Sequence, residues 1–167
     1  MSHVPEEITA RIANSGAHLR LATAQDGPAI LAFEEQHFPQ WLPTAARAVG
    51  QEDFANMLLA ELDGTIVGTN FLTSPGGPDI LWRRMLGEDS AAYGAVGVSE
   101  AARGRYIGYA LAVQAAEILR ERGAKRIFLG WVFSTEWYGR LGFRVWKTYQ
   151  QMDKHLLPRS DDGKRGA

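Results

Sequence analysis

The stretch that decides the fold is Arg105-Tyr106-Ile107-Gly108-Tyr109-Ala110, which joins a strand pattern to a helix pattern. Residues 91–98, just before it, are small and apolar, as is typical of a buried strand. After it, four apolar residues recur on one helical face: Leu111, Ala115, Ile118 and Leu119. Gly123 stands where a left-handed residue ends many helices, so the order predicted here is strand, glycine turn and a helix over 108–122.

The start of that helix is a candidate anion site. The first backbone N–H groups of a helix have no internal acceptor and lie at the positive end of its dipole. Gly104 and Gly108 let the backbone approach a ligand, and Arg103 and Arg105 add positive charge. An ordinary tight turn with two solvated arginines has the same pattern, so the turn by itself leaves the function open.

Composition indicates one soluble globular domain. The chain has 167 residues, of which 46% are hydrophobic and 22% charged, and one core is enough for that length. The formal net charge is −1, so no overall field draws the protein to nucleic acid or to an anionic membrane. We therefore expect neither as a partner, and any polyanion has to be held locally.

Metal and thiol chemistry find little support in the sequence. There is no cysteine, and the four histidines are scattered without ligand spacing, so we expect no metal site. The start of the chain has neither a basic segment nor an apolar one, and no apolar run is long enough to cross a bilayer. A cytoplasmic location is the resulting expectation.

The pattern of elements divides the chain into three parts. Residues 1–16 read as an N-terminal arm or short helix, 17–153 as a single domain, and 154–167 as a flexible tail. Residues 18–22 alternate like a strand, and Thr23 or Asp26 can cap a helix that begins at Gly27-Pro28.

The middle of the chain predicts a second helix and a hairpin. Two prolines near residue 40 end the first helix, and Thr44 can cap a short second one that runs to Val49. Residues 54–62 and 65–72 read as strands joined by Asp63-Gly64, a strong hairpin signal. The segment Trp82 to Glu88 has no clear assignment.

Beyond the turn helix, residues 126–132 read as a strand, 134–141 as one or two helical turns, and 143–152 as a last strand. A hairpin that leads into a strand–helix–strand crossover predicts an α/β fold of the α+β type. Its sheet is mixed and mostly antiparallel, with about six to seven strands flanked by about four helices. The last strand offers an edge for a homodimer.

Two separated motifs resemble the GCN5-related N-acetyltransferases, the GNAT superfamily. The segment Arg105 to Ala110 is similar to the family's Gln/Arg-x-x-Gly-x-Gly/Ala turn, and Trp137-Tyr138-Gly139-Arg140-Leu141-Gly142-Phe143 resembles its aromatic-Tyr-x-x-Leu-Gly-Phe ending. The resemblance covers residues 18–152 and agrees with the order of elements. It implies acetyl transfer from acetyl-CoA to an amine by direct attack in a ternary complex.

The resemblance also implies where acetyl-CoA binds. The turn cradles the pyrophosphate, and the preceding strand separates from its neighbour, pairs with the pantetheine and polarises the thioester carbonyl through backbone N–H groups. Gly94 and Gly97 suit a bulge or a close approach of another group, or relieve crowding in a packed strand. The implied cofactor-binding residues are Val96, Gly97, Val98, Arg103, Gly104, Arg105, Tyr106, Ile107, Gly108, Tyr109, Ala110, Ser134 and Tyr138.

Tyr138 matches the family position that serves as general acid for the departing thiolate, although an aromatic residue there can also only pack the core. Seven residues earlier, where many relatives carry asparagine, this chain has Trp131. Ser134 can replace the missing contact with its hydroxyl, or only cap the short helix.

The base and the acceptor site are less well defined by the sequence. Glu34 or Glu35 is the candidate base because the end of the first helix, where His37 also lies, borders the acceptor site in the family. Glu100 is nearer the cofactor turn, and ordered water is an alternative. Aromatic residues suit a cationic amine of a small molecule, such as an amino sugar or aminoglycoside, and equally suit a core. The candidate substrate-binding residues are His37, Phe38, Trp41 and Trp82.

Three other functions compete with this one. A non-catalytic CoA-sensing module would use the same turn without transfer. An acetyltransferase of protein amines or aminoacyl-tRNA is a second rival, although 18 basic against 19 acidic residues do not favour RNA. A nucleotide-binding phosphate loop is the third, and the turn lacks the Gly-Lys-Ser/Thr ending that such a loop carries.

Overall fold

The computed structural model describes residues 4–77 and 86–148, together with Gln150 and Met152. In these ranges the chain forms a five-stranded sheet with strands in sequence order: β1 His18–Leu21, β2 Met57–Leu62, β3 Thr65–Thr73, β4 Ser90–Val98 and β5 Arg126–Phe128. The helices with bounds in these ranges are α1 Glu6–Ala13, α2 Gly27–His37, α3 Leu42–Gly50, α4 Ile107–Glu121 and α5 Thr135–Gly139.

The sheet is mixed and mostly antiparallel. Strands β1 to β4 pair antiparallel with their neighbours, whereas β5 joins β4 in parallel through the crossover helix α4. The predicted α/β class of the α+β type is therefore confirmed.

Local signals explain the two best-defined connections. In the β2–β3 hairpin both turn residues are left-handed, Asp63 at φ 49° and Gly64 at φ 76°, as a two-residue type I′ turn requires. Before α2, the Asp26 carboxylate accepts hydrogen bonds from the backbone N–H and the hydroxyl of Thr23, and Pro28 lies in the first helical turn. The hairpin turn matches its prediction, whereas the Thr23–Asp26 capping box closes the 3₁₀ turn Ala24–Asp26 and α2 itself begins without a side-chain cap.

The sheet is covered on both faces, which explains why residues 57–60 at the start of β2 are continuously apolar. Leu58 and Ala60 face α4 and contribute to the larger core, which also contains Leu111. Met57 and Leu59 point to the opposite face and pack in a smaller core under α2 and α3. Because successive strand side chains alternate between faces, a strand buried on both sides carries no polar alternation.

The strand count differs from the prediction. The described residues form five strands rather than six to seven, and β5 ends at Phe128 instead of residue 132. Residues 143–148, expected in a last strand, adopt no strand, and neither do residues 129–133. Alternating apolar residues form a strand only when another strand accepts their hydrogen bonds. The last strand, expected to provide a homodimer edge, is therefore absent from the described residues.

Two further segments lie wholly or mostly outside the described ranges. Residues 154–167 lie outside them, as does most of the unassigned segment from Trp82 to Glu88. The part of the chain that the structure covers contains no helix with both the length and the apolar character needed to cross a bilayer.

Candidate functional site

The sheet opens between β4 and β5. The two strands pair only from Ser90 to Ala92 on β4 and from Arg126 to Phe128 on β5. From Tyr93 to Val98, β4 has no β5 partner among the described residues. The backbone groups on that side of β4 are therefore available to pair with an extended ligand.

A bulge lies in the open half of β4. On β3, Thr69 pairs with Gly97 and Phe71 pairs with Gly94, so Ala95 and Val96 together face the single residue Asn70. Ala95 is left-handed, with φ 52°. Such a bulge changes the direction of the backbone N–H groups around it, and it sits beside the opening. The glycine signal thus indicated the correct region, but the left-handed residue is an alanine between the two glycines.

Gly97 is a point of close approach between β4 and the segment that joins α2 to α3. A Cβ placed on Gly97 would lie 2.6 Å from Cε2 of Phe38 and 2.9 Å from Cζ3 of Trp41. The rings of Phe38 and Trp41 stack on each other with centroids 4.7 Å apart. Phe38 is buried and Trp41 half-buried, so Trp41 is the ring of this pair that retains exposed surface.

Glu34 and Glu35 occupy very different positions. Glu34 is fully buried, and its Oε1 accepts a 2.6 Å hydrogen bond from the hydroxyl of Thr69, the β3 residue opposite Gly97. Its Oε2 has no partner among the described residues. Burial raises the pKa of Glu34, and the hydrogen bond from Thr69 opposes this only in part. Glu35 is exposed.

A cavity of about 240 Å³ lies where β4 leads into α4. Its wall includes Val98, Arg103, Gly104, Ile107 and Gly108. Gly104 is left-handed at φ 78°, and a Cβ on it would meet nothing within 4 Å, so the backbone there is open to a ligand. The Arg103 Nε donates to the carbonyl of Val98 at 3.3 Å, which keeps the guanidinium beside the strand end.

The first turn of α4 provides backbone N–H groups that can donate hydrogen bonds to an anion. Ala110 N–H donates to the carbonyl of Tyr106, the residue that precedes the helix, so the N–H groups of residues 107–109 have no acceptor within the helix. Arg105 does not line the cavity: its Nη2 lies 3.3 Å from the Cβ position of Gly16, on the side of the turn toward α1. Ala110 is buried and also lies away from the cavity wall.

The Gln/Arg-x-x-Gly-x-Gly/Ala pattern therefore fits the structure better when it begins at Arg103 instead of Arg105. Read from Arg103, it places Tyr106 where the pattern has its first glycine and Gly108 where it has glycine or alanine. Tyr106 has φ 62°, the left-handed conformation that glycine adopts without strain. The structure supports this alignment because Arg103, and not Arg105, lines the cavity.

Helix α5 separates this cavity from a larger groove of about 710 Å³ between β5 and residues 143–148. Trp137 lines the cavity and Tyr138 lines the groove, with their ring centroids 4.7 Å apart and nearly perpendicular. Tyr138 is half-buried, and burial raises the pKa of its hydroxyl. Beside it, the Tyr93 hydroxyl is buried with no partner among the described residues; burial and the charge of Tyr138 raise its pKa.

Four further residues that the sequence singled out are Ser134, Trp131, His37 and Trp82. Ser134 precedes α5 but makes no capping hydrogen bond, and its side chain is exposed. Trp131 is left-handed at φ 55°, 63% exposed, and lines the larger groove. His37 is half-buried with its ring 4.9 Å from that of Phe33, and Trp82 lies outside the described residues.

Some site features were not found from the sequence. The bulge at Ala95, the Thr69–Glu34 hydrogen bond and the left-handed Tyr106 all depend on contacts between distant segments. The neighbouring glycines at 94 and 97 were the available signal for the bulge. In the described ranges no three side chains of His, Asp or Glu gather into a possible metal site.

Comparison with protein families gives one match. A family model described as the acetyltransferase (GNAT) family matches residues 25–143, from the turn before α2 to the end of the second motif. No curated protein sequence matches the chain.

Several solved structures are similar to this chain. A GCN5-related glucosamine N-acetyltransferase region of a fungal multi-domain GH3 β-N-acetylglucosaminidase is 26% identical over 83% of this chain, with a TM-score of 0.76, and this chain spans 18% of that longer one. A Mycobacterium tuberculosis protein in complex with CoA is 26% identical (TM-score 0.55; 75% of this chain, 70% of that one). A Brucella melitensis GNAT family acetyltransferase in complex with acetyl-CoA is 23% identical (TM-score 0.54; 77% and 82%).

Proposed function

The chain belongs to the GNAT acetyltransferase family, and from that premise we propose that it transfers the acetyl group of acetyl-CoA to a primary amine of a small molecule. The observation that carries the proposal is the continuity of the β4 opening with the free N–H groups of α4. An extended thioester arm and a pyrophosphate need those two features next to each other. Similar structures that contain CoA or acetyl-CoA support the choice of donor.

The chain's own groups suit this donor. The pyrophosphate would accept hydrogen bonds from the N–H groups of residues 107–109, with Arg103 beside it and Gly104 leaving room for its oxygens. The unpaired edge of β4 would hold the pantetheine in an extended form. Acetyl-CoA supplies an activated carbonyl, and backbone N–H groups between Val96 and Val98 are the donors that would polarise it.

Tyr138 is the group that we assign to protonate the departing thiolate at its Oη. A phenol with a raised pKa keeps its proton at neutral pH, so it is in the donor form when the sulfur leaves. Its position beside Tyr93, where β4 loses its pairing with β5, supports this assignment.

The proton of the attacking amine has to leave on the α2 side. Of the two candidate carboxylates we assign Glu34, because it hydrogen-bonds to Thr69 opposite Gly97, whereas Glu35 is exposed. Glu34 and Thr69 are buried, so the amine proton would reach Glu34 through an ordered water at the opening rather than by direct contact. A carboxyl whose pKa is raised by burial is a stronger proton acceptor than an ordinary surface carboxylate.

The acceptor would lie over the half-buried Trp41, with His37 nearby. Phe38, predicted to contact substrate, is buried against Gly97 and acts as the support of Trp41. A partly exposed indole suits a sugar ring or a cationic amine. Similarity to a glucosamine N-acetyltransferase region makes amino sugars the first class to test.

The decisive experiment measures free thiol release from acetyl-CoA with a panel of amines: amino sugars, aminoglycosides, polyamines, arylalkylamines and a peptide with a free N-terminus. We expect turnover with a small amine, identified by mass spectrometry of the acetylated product. Tyr138→Phe is the matched variant, with turnover reduced and CoA affinity retained. Tight CoA binding without turnover across the panel would favour a sensor, and turnover with the peptide alone would favour a protein acetyltransferase.

A further inference from the structure

A column of four stacked side chains runs across the start of α4. The guanidinium carbon of Arg11 lies 5.1 Å from the centroid of the Tyr106 ring. Tyr106 stacks on Tyr109 at 5.6 Å and 29°, and Tyr109 stacks on Trp137 at 4.3 Å and 15°. The column therefore links α1, the turn, α4 and α5 at the proposed pyrophosphate site.

Tyr106 is the strained member of this column. Its φ of 62° and ψ of 11° place a bulky side chain in the left-handed region, where Cβ crowds the following carbonyl. Such a conformation persists only when the surroundings hold it. Tyr106 is also the residue whose carbonyl accepts the N–H of Ala110, so its conformation sets the direction of the first turn of α4.

The N-terminal helix is firmly attached at this place. Ile8 of α1 is 7% exposed and belongs to the core that contains Leu111, while Ile12 packs against the same core. Helix α1 precedes the residues matched by the family model, which begin at residue 25. The element that touches Tyr106 from outside therefore lies outside the matched region, as β1 does.

We propose that α1, through Arg11, holds Tyr106 in the left-handed conformation that directs the N–H groups of residues 107–109 toward the CoA pyrophosphate. Arg11 is then a positioning residue for the donor, although it does not line the cavity. This inference rests on the proposed function, because it takes CoA as the ligand of the turn. It goes beyond that function by giving α1 a role in donor affinity.

The direct test is CoA binding to the full chain by isothermal titration calorimetry. Removing a cation–π contact at an exposed site should weaken CoA binding by about two- to fivefold in Arg11→Ala, and KM for acetyl-CoA should rise by the same factor with kcat unchanged. Arg11→Lys keeps a cation and should recover part of the affinity. Glu7→Gln removes the exposed 3.4 Å ion pair to Arg11 but leaves the stack, so its affinity should equal that of the wild type.

A double-mutant cycle separates positioning from general stability. Glycine adopts the left-handed region without strain, so Tyr106→Gly should make the turn independent of α1, and adding Arg11→Ala should then change the CoA affinity no further. Tyr106→Asn provides the same test if the glycine variant does not fold, since asparagine tolerates this region. Equal loss from Arg11→Ala in both backgrounds would overturn the inference, as would unchanged affinity in Arg11→Ala alone. A wild-type chain that binds no CoA would instead refute the proposed function.

Discussion

Replacement of Gly97 by alanine would insert one methyl group between β4 and the Phe38–Trp41 pair. The new Cβ would lie 2.6 Å from Cε2 of Phe38 and 2.9 Å from Cζ3 of Trp41, well inside the roughly 3.5 Å at which carbon atoms normally make contact. The rings or the strand must therefore move. Overpacking of this kind costs about 1–3 kcal/mol, which in a domain of this size lowers Tm by about 4–8 °C at the middle of that range.

Gly94→Ala is the matched control for this substitution. Gly94 lies on the same strand, is exposed, and would place its Cβ in a position with nothing within 4 Å. The stability of this variant should stay within about 0.5 kcal/mol of the wild type. Phe38→Leu removes the ring that approaches closest, so combining it with Gly97→Ala should cost less than the sum of the two single changes.

Thermal unfolding followed by circular dichroism compares the four variants with the wild type, and urea unfolding gives the free energies. Because Trp41 is proposed to contact the acceptor, Gly97→Ala should also raise KM for the amine. A Tm for Gly97→Ala within 1 °C (about 0.3 kcal/mol) of that for Gly94→Ala would refute the close packing of the α2–α3 segment on β4.

Three further predictions concern ionisable groups. Tyr138→Phe should lower turnover by about 100-fold, with CoA affinity by calorimetry unchanged; equal turnover would remove the general-acid role. Burial raises the pKa of Glu34. The contribution of Glu34 to stability is therefore present below the unfolded pKa of about 4.3 and is lost as pH rises through the folded pKa. Glu34→Gln should remove that loss, as measured by the free energy of urea unfolding at pH 5 and pH 8. Hydrogen bonds from Arg20 lower the pKa of Asp26 and Glu61, so wild-type stability should fall as pH drops through about 4 toward the lower folded values. Arg20→Met should flatten this acid limb in a Tm series from pH 3 to pH 7, and an unchanged limb would contradict the assignment.

The helices and the hairpin were predictable because their signals are local. The helical period after residue 110, the Asp63-Gly64 turn and the pair Thr23–Asp26 each specify a conformation within a few residues. The helix and the hairpin turn adopt the expected structure, while the Thr23–Asp26 hydrogen bonds cap the 3₁₀ turn that precedes α2 rather than α2 itself. The strand expected over 143–152 lacked such support, since its alternation required a partner strand that the described residues do not supply.

The two motifs located the candidate site but not its detailed geometry. From the sequence, Arg103 and Arg105 were equivalent cations, and Glu34 and Glu35 were equivalent carboxylates. In the structure only Arg103 lines the cavity, and only Glu34 is buried beside β3. Neighbours in sequence point in different directions along a helix or a turn, so packing distinguishes them where composition does not.

The sequence by itself determined the order of elements from β1 to α5, the mixed sheet and the glycine turn before α4, because periodicity and turn chemistry act over short distances. Tertiary structure decided which residue bears the strain at that turn. Tyr106 takes the left-handed position that glycine would occupy freely, and it is contacted there by Arg11, from a helix almost a hundred residues earlier in the chain. No local pattern encodes such a contact, since it exists only when α1 and α4 pack on the same core.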